Sequence, residues 1–552
     1  MKSLRAVAMI SVLSFCAGSA AGGSCRDDKV ISAVIPQPRQ VAFSGEDFLL
    51  SDRAKILYCN RGQGDDFAVT SFTAFLKEAY NLYVKTSAVD RAKAPAGMIL
   101  VGNASKDAFL KEALRSQGFE TSAKIGSEGY QLWVRADQII LHGSTPAGQF
   151  YGLQTLRQLV YKSEKGIAVK GVTITDYPRY QLRGFQFDAG RCPQSISMMK
   201  RIVRICSTFK LNFVLFREGD DELNAIDYET NKLGSLNPRA ISIDEMAEFI
   251  EYAARRHIKV VPEIESLGHS GAKAYQYPGL VGRRGRTTRY EGIGLRIRKR
   301  RLVLEKDATY DLLDSIYSEW VPILSSPYIH LGCDEAGRGT GEHLARLTAI
   351  LNKLAEKHGK SIRPIVWADA ASTPRQLEQQ VVRCLWAYGE TGGRVIDENN
   401  RFLNRQGQNV KALAEPECRQ EVIMAGGSDS YHKPLAKAKY ENALPNIYSW
   451  CRFGKDKPNF IGIFAVQWSG NQHDLWLPDD LTVAEYGWTP DKPTFDYQNC
   501  MARIMAALSR MKDYTDPKSY EIDRSCWDGI WLSEDDQWRE DIMGLAIPIC
   551  GE

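Results

Sequence analysis

The sequence lacks the patterns that mark several classes of protein. None of its twelve cysteines stands in a Cys-x-x-Cys pair, and no His-x-x-x-His spacing occurs, so nothing in it indicates a metal site. The net charge of +4 over 552 residues is too small to imply nucleic acid. Beyond the N-terminus no segment is long and apolar enough for a membrane helix. We therefore expect no metal, no cofactor, no nucleic-acid partner and no transmembrane segment.

The composition is that of a folded globular protein. The chain is 44% hydrophobic and 25% charged, and it contains eleven tryptophans, whose flat rings suit sugars and other amphipathic ligands. Its length exceeds that of one ordinary domain, so two or three domains are expected. Nothing in the sequence fixes the oligomeric state.

The N-terminal segment has the features of a signal peptide. Lys2 and Arg5 precede a short apolar run over 6–15, and small residues follow at 19–21. Residues 1–22 are therefore predicted to be a signal peptide, and the mature protein to be secreted or periplasmic. Lipoprotein anchoring at Cys16 is disfavoured because bulky Phe15 directly precedes it. Export permits disulfides, but no pairing can be read from the spacing.

The pattern of apolar residues divides the chain into four segments. After the signal peptide, residues 30–175 mix strands and helices and predict an α/β support domain without a catalytic constellation. A turn at 176–179 marks the boundary. Residues 176–510 alternate short buried strands with helices, and 511–552 form a polar tail predicted to pack on the barrel.

Eight short apolar runs in the third segment predict barrel strands. They cover 184–188, 212–216, 259–262, 328–331, 363–367, 383–386, 422–425 and 463–468. Eight such strands with intervening helices over some 300 residues favour a (β/α)8 TIM barrel, preceded here by the small α/β domain. Side chains at the carboxyl ends of the strands then become the candidates for chemistry.

Acids follow the earlier strands, and tryptophans follow the later ones. Asp334 and Glu335 come directly after the strand over 328–331, and His269 follows the strand over 259–262. Glycoside hydrolysis needs a carboxylic acid that protonates the leaving oxygen and a second group that stabilises positive charge. Aromatic faces supply apolar walls for a sugar. The arrangement therefore favours a glycosidase.

Three segments resemble one known family. The run 330–335 reads His-Leu-Gly-Cys-Asp-Glu and resembles the signature His-x-Gly-Gly-Asp-Glu of the family 20 glycoside hydrolases, the β-N-acetylhexosaminidases. The segments 183–188 and 262–271 resemble the first and third barrel strands of that family. The likeness extends over roughly 35–490 in the expected order, which is far more specific than any single motif.

The resemblance implies a role for each site residue. Glu335 would be the general acid and then the general base, and Asp334 would orient the 2-acetamido group that attacks the anomeric carbon. His269 would support the acid together with Asp221 (or Asp220). The residues that the resemblance assigns to substrate binding are Arg183 for the sugar hydroxyls, Trp367, Trp386 and Trp468 for the acetamido methyl, and Tyr431 for the acetamido oxygen. No cofactor is implied, and the substrate would be a glycan or glycoprotein.

The sequence also departs from the family. Lys433 and Gly470 stand where the family has acids that hold the C4 and C6 hydroxyls, and the second strand has lost two histidines. We expect a terminal sugar that is sulfated or otherwise substituted, held in part by Lys433. Residues 283–301 contain nine Lys or Arg and one acid. They are either a solvated surface loop or a site of attraction for an anion.

Two alternatives stay open. A catalytically weak carbohydrate-binding protein on the same scaffold would explain the lost acids, although a lectin has no need of Glu335. A glycosidase with its own nucleophile would need a second carboxylate, and the sequence offers no convincing candidate. Exo-acting removal of a terminal β-linked N-acetylhexosamine is the favoured function.

Overall fold

The chain forms two compact units. The computed structural model describes residues 31–58, 67–88, 97–191, 194–221, 223–237, 239–289, 296–335, 340–370, 375–388, 410–427, 437–468, 476–492, 494–511 and 514. One unit comprises residues up to Tyr177 together with Asp496–Arg510, and the other comprises Pro178–Phe495 with the residues from Met511 onward. The predicted signal peptide and nearly all of the tail over 511–552 lie outside the described residues.

The first unit is built on a mixed sheet. Its strands are β1 (Gln40–Phe43), β2 (Phe48–Leu49), β3 (Lys55–Tyr58), β4 (Lys85–Ala88), β5 (Met98–Gly102), β6 (Tyr130–Val134), β7 (Gln138–Gly143), β8 (Val160–Ser163), β9 (Gly166–Val169) and β10 (Val172–Asp176). Seven of them pair in the order β1-β10-β6-β7-β5-β3-β4, and β2-β9-β8 form a second sheet. Helices α1 (Phe67–Tyr80), α2 (Ala108–Ser116) and α3 (Pro146–Leu159) complete this α/β unit.

One helix belongs to this unit despite its position late in the chain. The sequence assigns residues up to 510 to the barrel, yet the helix Tyr497–Leu508 groups with the first unit. The guanidinium of Arg503 donates to the backbone carbonyls of Ser32 and Val34, and these bonds connect the helix to the start of the described chain.

The second unit is a closed barrel of eight parallel strands. The barrel strands are β11 (Leu182–Asp188), β12 (Phe213–Arg217), β15 (Lys259–Glu263), β18 (Tyr328–His330), β19 (Arg363–Trp367), β20 (Val382–Trp386), β21 (Val422–Gly427) and β22 (Phe460–Val466). β11 pairs with both β12 and β22, which closes the ring. All eight coincide with the predicted strands within a few residues, and the predicted TIM-barrel fold is confirmed.

Helices connect the barrel strands. They are α4 (Ile196–Thr208), α5 (Ile243–Ala254), α6 (Gly271–Gln276), α7 (Asp307–Ile323), α8 (Thr340–Lys357), α9 (Val410–Ala414), α10 (Lys437–Gly454) and α11 (Leu477–Trp488); the late helix Tyr497–Leu508 is α12. The start of α5 shows how the sequence sets a boundary, because Ser242 and Glu245 form a capping box that satisfies two free backbone N–H groups. Within the described residues, no helix meets the length and hydropathy needed to cross a membrane.

Two short sheets lie outside the barrel wall. β13 (Ile226–Asp227) pairs with β14 (Ile241–Ser242). β16 (Val281–Arg289) pairs with β17 (Arg296–Leu302) as an antiparallel hairpin. The basic segment over 283–301 is therefore largely a hairpin and not an irregular loop. Among the described cysteines six are free thiols: Cys206, Cys333, Cys384, Cys418, Cys451 and Cys500.

The barrel interior is filled by apolar side chains. Residues such as Leu215, Ile365 and Phe464 form one buried cluster, and Trp386 and Trp468 pack against it. Because all eight strands are parallel, their carboxyl ends lie at the same rim of the barrel. The acids and tryptophans that follow the strands are thereby brought together.

Candidate active site

The turn after β18 carries the two adjacent carboxylates. Gly332 and Cys333 adopt the left-handed conformation, with φ of +66° and +74°. A methyl group on Gly332 would lie 2.1 Å from Oε2 of Glu265, so only glycine fits there. The side chain of Asp334 is 13% exposed and that of Glu335 is 45% exposed. The turn therefore directs one carboxylate into the protein and the next toward solvent.

His269 connects this pair to a second pair of acids. Its Nε2 lies 3.4 Å from Oδ2 of Asp334 and 3.7 Å from Oε2 of Glu335. Its Nδ1 lies 3.1 Å from Oδ1 of Asp220 but 3.6 Å from Oδ2 of Asp221. Asp221 is the first candidate from the sequence for the partner of this histidine and Asp220 the alternative, and the shorter distance favours Asp220.

Asp221 has a backbone partner. Its Oδ1 accepts the N–H of Gly271 at 2.8 Å, where α6 begins. That bond fixes the start of α6 next to the loop that carries His269. Asp221 thus supports the loop, and Asp220 contacts the imidazole more closely.

Negative and positive side chains alternate from Asp220 through His269 to Asp334. Burial alone would lower the pKa of His269, but the carboxylates of Asp220 and Asp334 outweigh it and hold that pKa well above its usual value. Burial would raise the pKa of Asp334, but His269 and then Arg217 outweigh it and lower that pKa. At neutral pH the imidazole is therefore a cation between two carboxylates.

Arg217 supplies a second buried cation. It ends β12, is fully buried, and stands where the resembling family has one of the two lost histidines. Its guanidinium lies 2.6 Å from Asp220 and 2.8 Å from Glu265, and it also donates to Glu263. Sequence reasoning assigned no role to Glu263 or Glu265, because their convergence on one side chain of the neighbouring strand has no local pattern.

The three predicted tryptophans lie at the same rim. The Trp367 indole N–H donates to Oε1 of Glu263 at 2.7 Å. The rings of Trp367 and Trp468 are 5.9 Å apart, and Trp468 also lies 5.3 Å from the guanidinium carbon of Arg191 and 5.2 Å from that of Arg217. Two of the three rings therefore lie side by side at this rim, with Trp367 buried and Trp468 partly buried.

Asp369 fixes the third tryptophan and the general-acid candidate together. Its Oδ1 accepts the indole N–H of Trp386 at 2.9 Å, and its Oδ2 accepts the backbone N–H of Glu335 at 2.8 Å. Burial, with a further contribution from Asp334, raises the pKa of Asp369 to about 6. Sequence reasoning missed this residue, although it stands only two positions after Trp367.

The predicted role of Arg183 is wrong. Arg183 lies near the start of β11, at the opposite end of the barrel, and it is fully buried. Its guanidinium donates to the carbonyls of Tyr180 and Lys210 at 2.6 and 3.0 Å and stacks on Trp488. The chain direction explains the error: Arg183 stands at the start of its strand, and the starts of parallel barrel strands lie at the end opposite the carboxyl-end rim.

Arg191 occupies the place expected for Arg183. It follows β11 at the correct rim, and its guanidinium lies 3.0 Å from Asp188 and 2.8 Å from Asp220. The signal was present in the sequence, since Arg191 is the first arginine after the predicted end of the strand. Tyr431 and Lys433, both expected in the site, lie outside the described residues.

Two groups of side chains have the composition of a metal site. Within the described residues, Asp220, Asp221 and His269 form one group, and Glu263, Glu265 and Asp334 form the other. Each group already contacts a cation of the protein, the imidazolium of His269 or the guanidinium of Arg217. A divalent ion would compete with these cations for the same oxygen atoms.

Two family models match the chain. "Glycosyl hydrolase family 20, domain 2" matches residues 32–177, and "Glycosyl hydrolase family 20, catalytic domain" matches residues 180–490. The second match alone covers more than half of the chain. The chain belongs to glycosyl hydrolase family 20. The family predicted from the sequence is confirmed, and with it the glycosidase class.

Named relatives come from bacteria and animals. A β-N-acetylhexosaminidase of Cellulomonas fimi is 25% identical over 393 residues, covering 66% of this chain and 75% of the relative. A β-hexosaminidase of Porphyromonas gingivalis is 25% identical over 68% of this chain and 52% of its own length. The α subunit of rat β-hexosaminidase is 30% identical over 38% of this chain and 40% of the relative. The family 20 chain thus spans between two fifths and three quarters of these relatives.

Solved structures of the same family share the fold. The β-N-acetylhexosaminidase of Streptomyces coelicolor superposes with a TM-score of 0.66 at 20% identity, covering 88% of this chain and 96% of its own. That of Bacteroides fragilis superposes with a TM-score of 0.62 at 20% identity, covering 86% and 94%. At such identity the likeness concerns the fold, and the site must be argued from its own geometry.

Proposed function

We propose that this family 20 enzyme is an exo-acting, retaining β-N-acetylhexosaminidase that uses substrate-assisted catalysis. One observation carries the proposal. The exposed Glu335 and the buried, ionised Asp334 share the imidazolium of His269 at the rim of the barrel where the rings of Trp367 and Trp468 lie side by side. The relatives named above are β-hexosaminidases, which supports the same activity here.

The proposed reaction divides the work between neighbours. Glu335, the more exposed carboxyl, donates its proton to the glycosidic oxygen as the bond to the anomeric carbon breaks. The carbonyl oxygen of the substrate's 2-acetamido group forms the new bond to that carbon, so the enzyme supplies no nucleophile. Asp334 is held ionised, accepts the acetamido N–H and stabilises the positive charge that develops on the bound amide.

The second half reverses the proton transfer. Glu335, now a carboxylate, removes a proton from water, and the hydroxyl oxygen attacks the anomeric carbon and displaces the acetamido oxygen. Each of the two displacements inverts the configuration at the anomeric carbon, so the product retains the configuration of the substrate. Asp369 fixes the backbone of Glu335 and the ring of Trp386 at once, which keeps the acid and the acetamido pocket in register.

The mechanism is tested with a thiazoline that mimics the cyclised intermediate. We expect competitive inhibition of aryl N-acetylglucosaminide hydrolysis, and no hydrolysis of the aryl glucoside, which lacks the acetamido group. Glu335→Gln should lose at least about a thousandfold in kcat while still binding the thiazoline. Equal rates on the two aryl glycosides, or no inhibition by the thiazoline, would contradict the proposal.

The terminal sugar is proposed to be sulfated or otherwise substituted at C4 or C6. Lys433 and Gly470 replace two acids that the family uses there, and a lysine suits an anionic substituent better than a free hydroxyl. Comparing kcat/KM for aryl N-acetylglucosaminide and its 6-sulfated analogue tests this. A clear preference for the unsubstituted sugar would refute it.

We also propose that the enzyme acts outside the cytoplasm, delivered by the signal peptide over 1–22. N-terminal sequencing of the mature protein from culture medium and periplasm would test this, with cleavage near residue 22 as the expected result. An uncleaved N-terminus in the cytoplasm would contradict it.

A further inference from the structure

The paired strands Val281–Arg289 and Arg296–Leu302, hereafter the basic hairpin, begin beside the loop that carries His269. It lies between α6 and α7, in the connection that follows barrel strand β15 at the carboxyl-end rim. The N–H of Leu302 donates to the carbonyl of Leu267 at 2.9 Å, and the N–H of Val303 donates to the carbonyl of Leu280 at 2.9 Å. Leu302 is buried, and Leu267 stands two residues before His269. The base of the hairpin is therefore fixed next to the active site.

The pairing of its strands places arginines opposite one another. Arg283 is the ladder partner of Arg300, and Arg289 is the partner of Arg296. Like charges directly opposite in an antiparallel ladder are destabilising, and a two-stranded sheet alone is marginally stable in water. The residue types at these register positions are thus unfavourable for the hairpin by itself. An anion bound along it would remove that repulsion.

The net positive charge of the chain comes from this segment. The segment 283–301 has nine Lys or Arg and one acid, a net charge of +8, whereas the whole chain has +4, so the rest of the chain is net negative. Nucleic-acid binding is typical of proteins with a broad basic face. A basic element at the rim of a glycosidase pocket suits an anion that reaches the enzyme as part of its substrate.

We propose that the basic hairpin binds the anionic part of the substrate glycan, the sulfated or carboxylated sugars beyond the terminal N-acetylhexosamine. This proposal rests on the proposed function, because the pocket defines which end of the glycan enters. It concerns sugars outside the pocket and is separate from any substituent on the terminal sugar. The chemistry recognised is a row of sulfate or carboxylate groups spaced along an extended chain.

The test compares two variants of equal charge change. The hairpin variant is R283Q/R289Q/R296Q/R300Q, which neutralises the two facing pairs. The control variant is K106Q/K111Q/K124Q/K165Q, four exposed lysines of the first unit. The substrates are a sulfated chondroitin pentasaccharide with N-acetylgalactosamine at its non-reducing end, the same pentasaccharide after desulfation, and neutral chitopentaose. The desulfated substrate separates carboxylate recognition from sulfate recognition.

The hairpin variant should lose about tenfold in kcat/KM on the sulfated substrate at low salt, less on the desulfated one and under twofold on chitopentaose. The loss should shrink as salt rises from about 20 to about 500 mM, because exposed charges are screened. The control variant should keep wild-type values throughout. Lysines at the same four hairpin positions should restore most of the activity, since they restore the charge.

Binding to the Glu335→Gln enzyme separates this proposal from the function itself. If no acetamido glycan is hydrolysed but the sulfated pentasaccharide still binds through the hairpin, the proposed function fails and the binding surface stands. Equal losses on charged and neutral substrates would overturn the hairpin proposal, as would losses matched by the control variant. Tighter hairpin-dependent binding of a DNA duplex than of the sulfated glycan would also overturn it.

Discussion

Replacing Arg217 by methionine tests the charge balance beneath the active site. The guanidinium is fully buried and contacts Asp220, Glu263 and Glu265. Asp220 keeps the imidazolium of His269 when the arginine is removed, so the loss falls mainly on the two glutamates. Removing one partner of a buried ion pair costs about 3–5 kcal/mol, a large part of the 5–15 kcal/mol typical of a folded domain.

The cost should depend on pH in a definite direction. Burial, opposed by Arg217, already raises the pKa of Glu263 to about 7. Without the arginine that pKa rises further, so the folded state holds a proton that the unfolded chain releases near 4.5. Stability then falls as pH increases, because the folded state binds more protons. Over three pH units one such carboxyl contributes about 4 kcal/mol.

Thermal unfolding at pH 5 and pH 8 measures this effect. At about 2 °C per kcal/mol for a large domain, this carboxyl should make Arg217→Met melt roughly 8 °C lower at pH 8 than at pH 5. The wild type, in which the pKa of Glu263 is already about 7, should show about 5 °C of that drop, so the excess for the variant is about 3 °C. Arg179→Met is the control, since the guanidinium of Arg179 donates to the backbone carbonyls of Gly454, Lys455 and Lys457. A pH dependence of Arg217→Met no larger than that of the control would refute the reasoning.

Substitutions at two further residues test individual contacts. Asp369→Asn leaves one of two donors, the Glu335 backbone or the Trp386 indole, facing an amide N–H, so kcat should fall about tenfold or more, read from aryl N-acetylglucosaminide kinetics. Because the pKa of Asp369 is raised to about 6, the folded wild type binds a proton that the unfolded chain releases near pH 4, so its free energy of unfolding should fall as pH rises from about 4 to 6. Urea unfolding of Asp369→Asn should show less of that fall. Cys333→Gly should change the free energy of unfolding by under about 1 kcal/mol, since relief of the left-handed strain offsets the lost thiol contact. Cys333→Val should cost over about 2 kcal/mol, and equal melting of both variants would contradict this account.

Much of the fold could be predicted because its signals are local. All eight barrel strands follow from apolar pattern and length. The acids and tryptophans of the site followed from one rule, that a parallel barrel gathers the residues after its strands. Applied strictly, the same rule would have rejected Arg183 and chosen Arg191. That error came from matching a motif without asking which end of the strand each residue occupies.

The contacts between strands could not be predicted in this way. Asp369, which follows β19, matters because it contacts both the backbone of Glu335, which follows β18, and the indole of Trp386, which ends β20. Glu265 matters because its carboxylate packs against Gly332. Such contacts depend on the relative heights of neighbouring strands, and that register has no signature in a single segment. The hairpin character of 283–301 was hidden for a related reason, since its arginines have low strand propensity and unfavourable cross-strand pairing.

Arg217 stands where the resembling family has a histidine, and this difference affects which groups of the site change charge with pH. A histidine at this position would gain or lose its charge near neutrality, whereas a guanidinium stays charged throughout. His269 is held as a cation by Asp220 and Asp334, and burial lowers the pKa of His330 to about 3, so neither imidazole titrates near pH 7. Glu263, with a pKa of about 7, and Asp369, with a pKa of about 6, are therefore two carboxyls beneath the pocket whose charge changes near neutrality. Both accept an indole N–H from the tryptophan walls, so protonation of carboxyls beneath the pocket, and not of a histidine, should loosen those walls as pH falls.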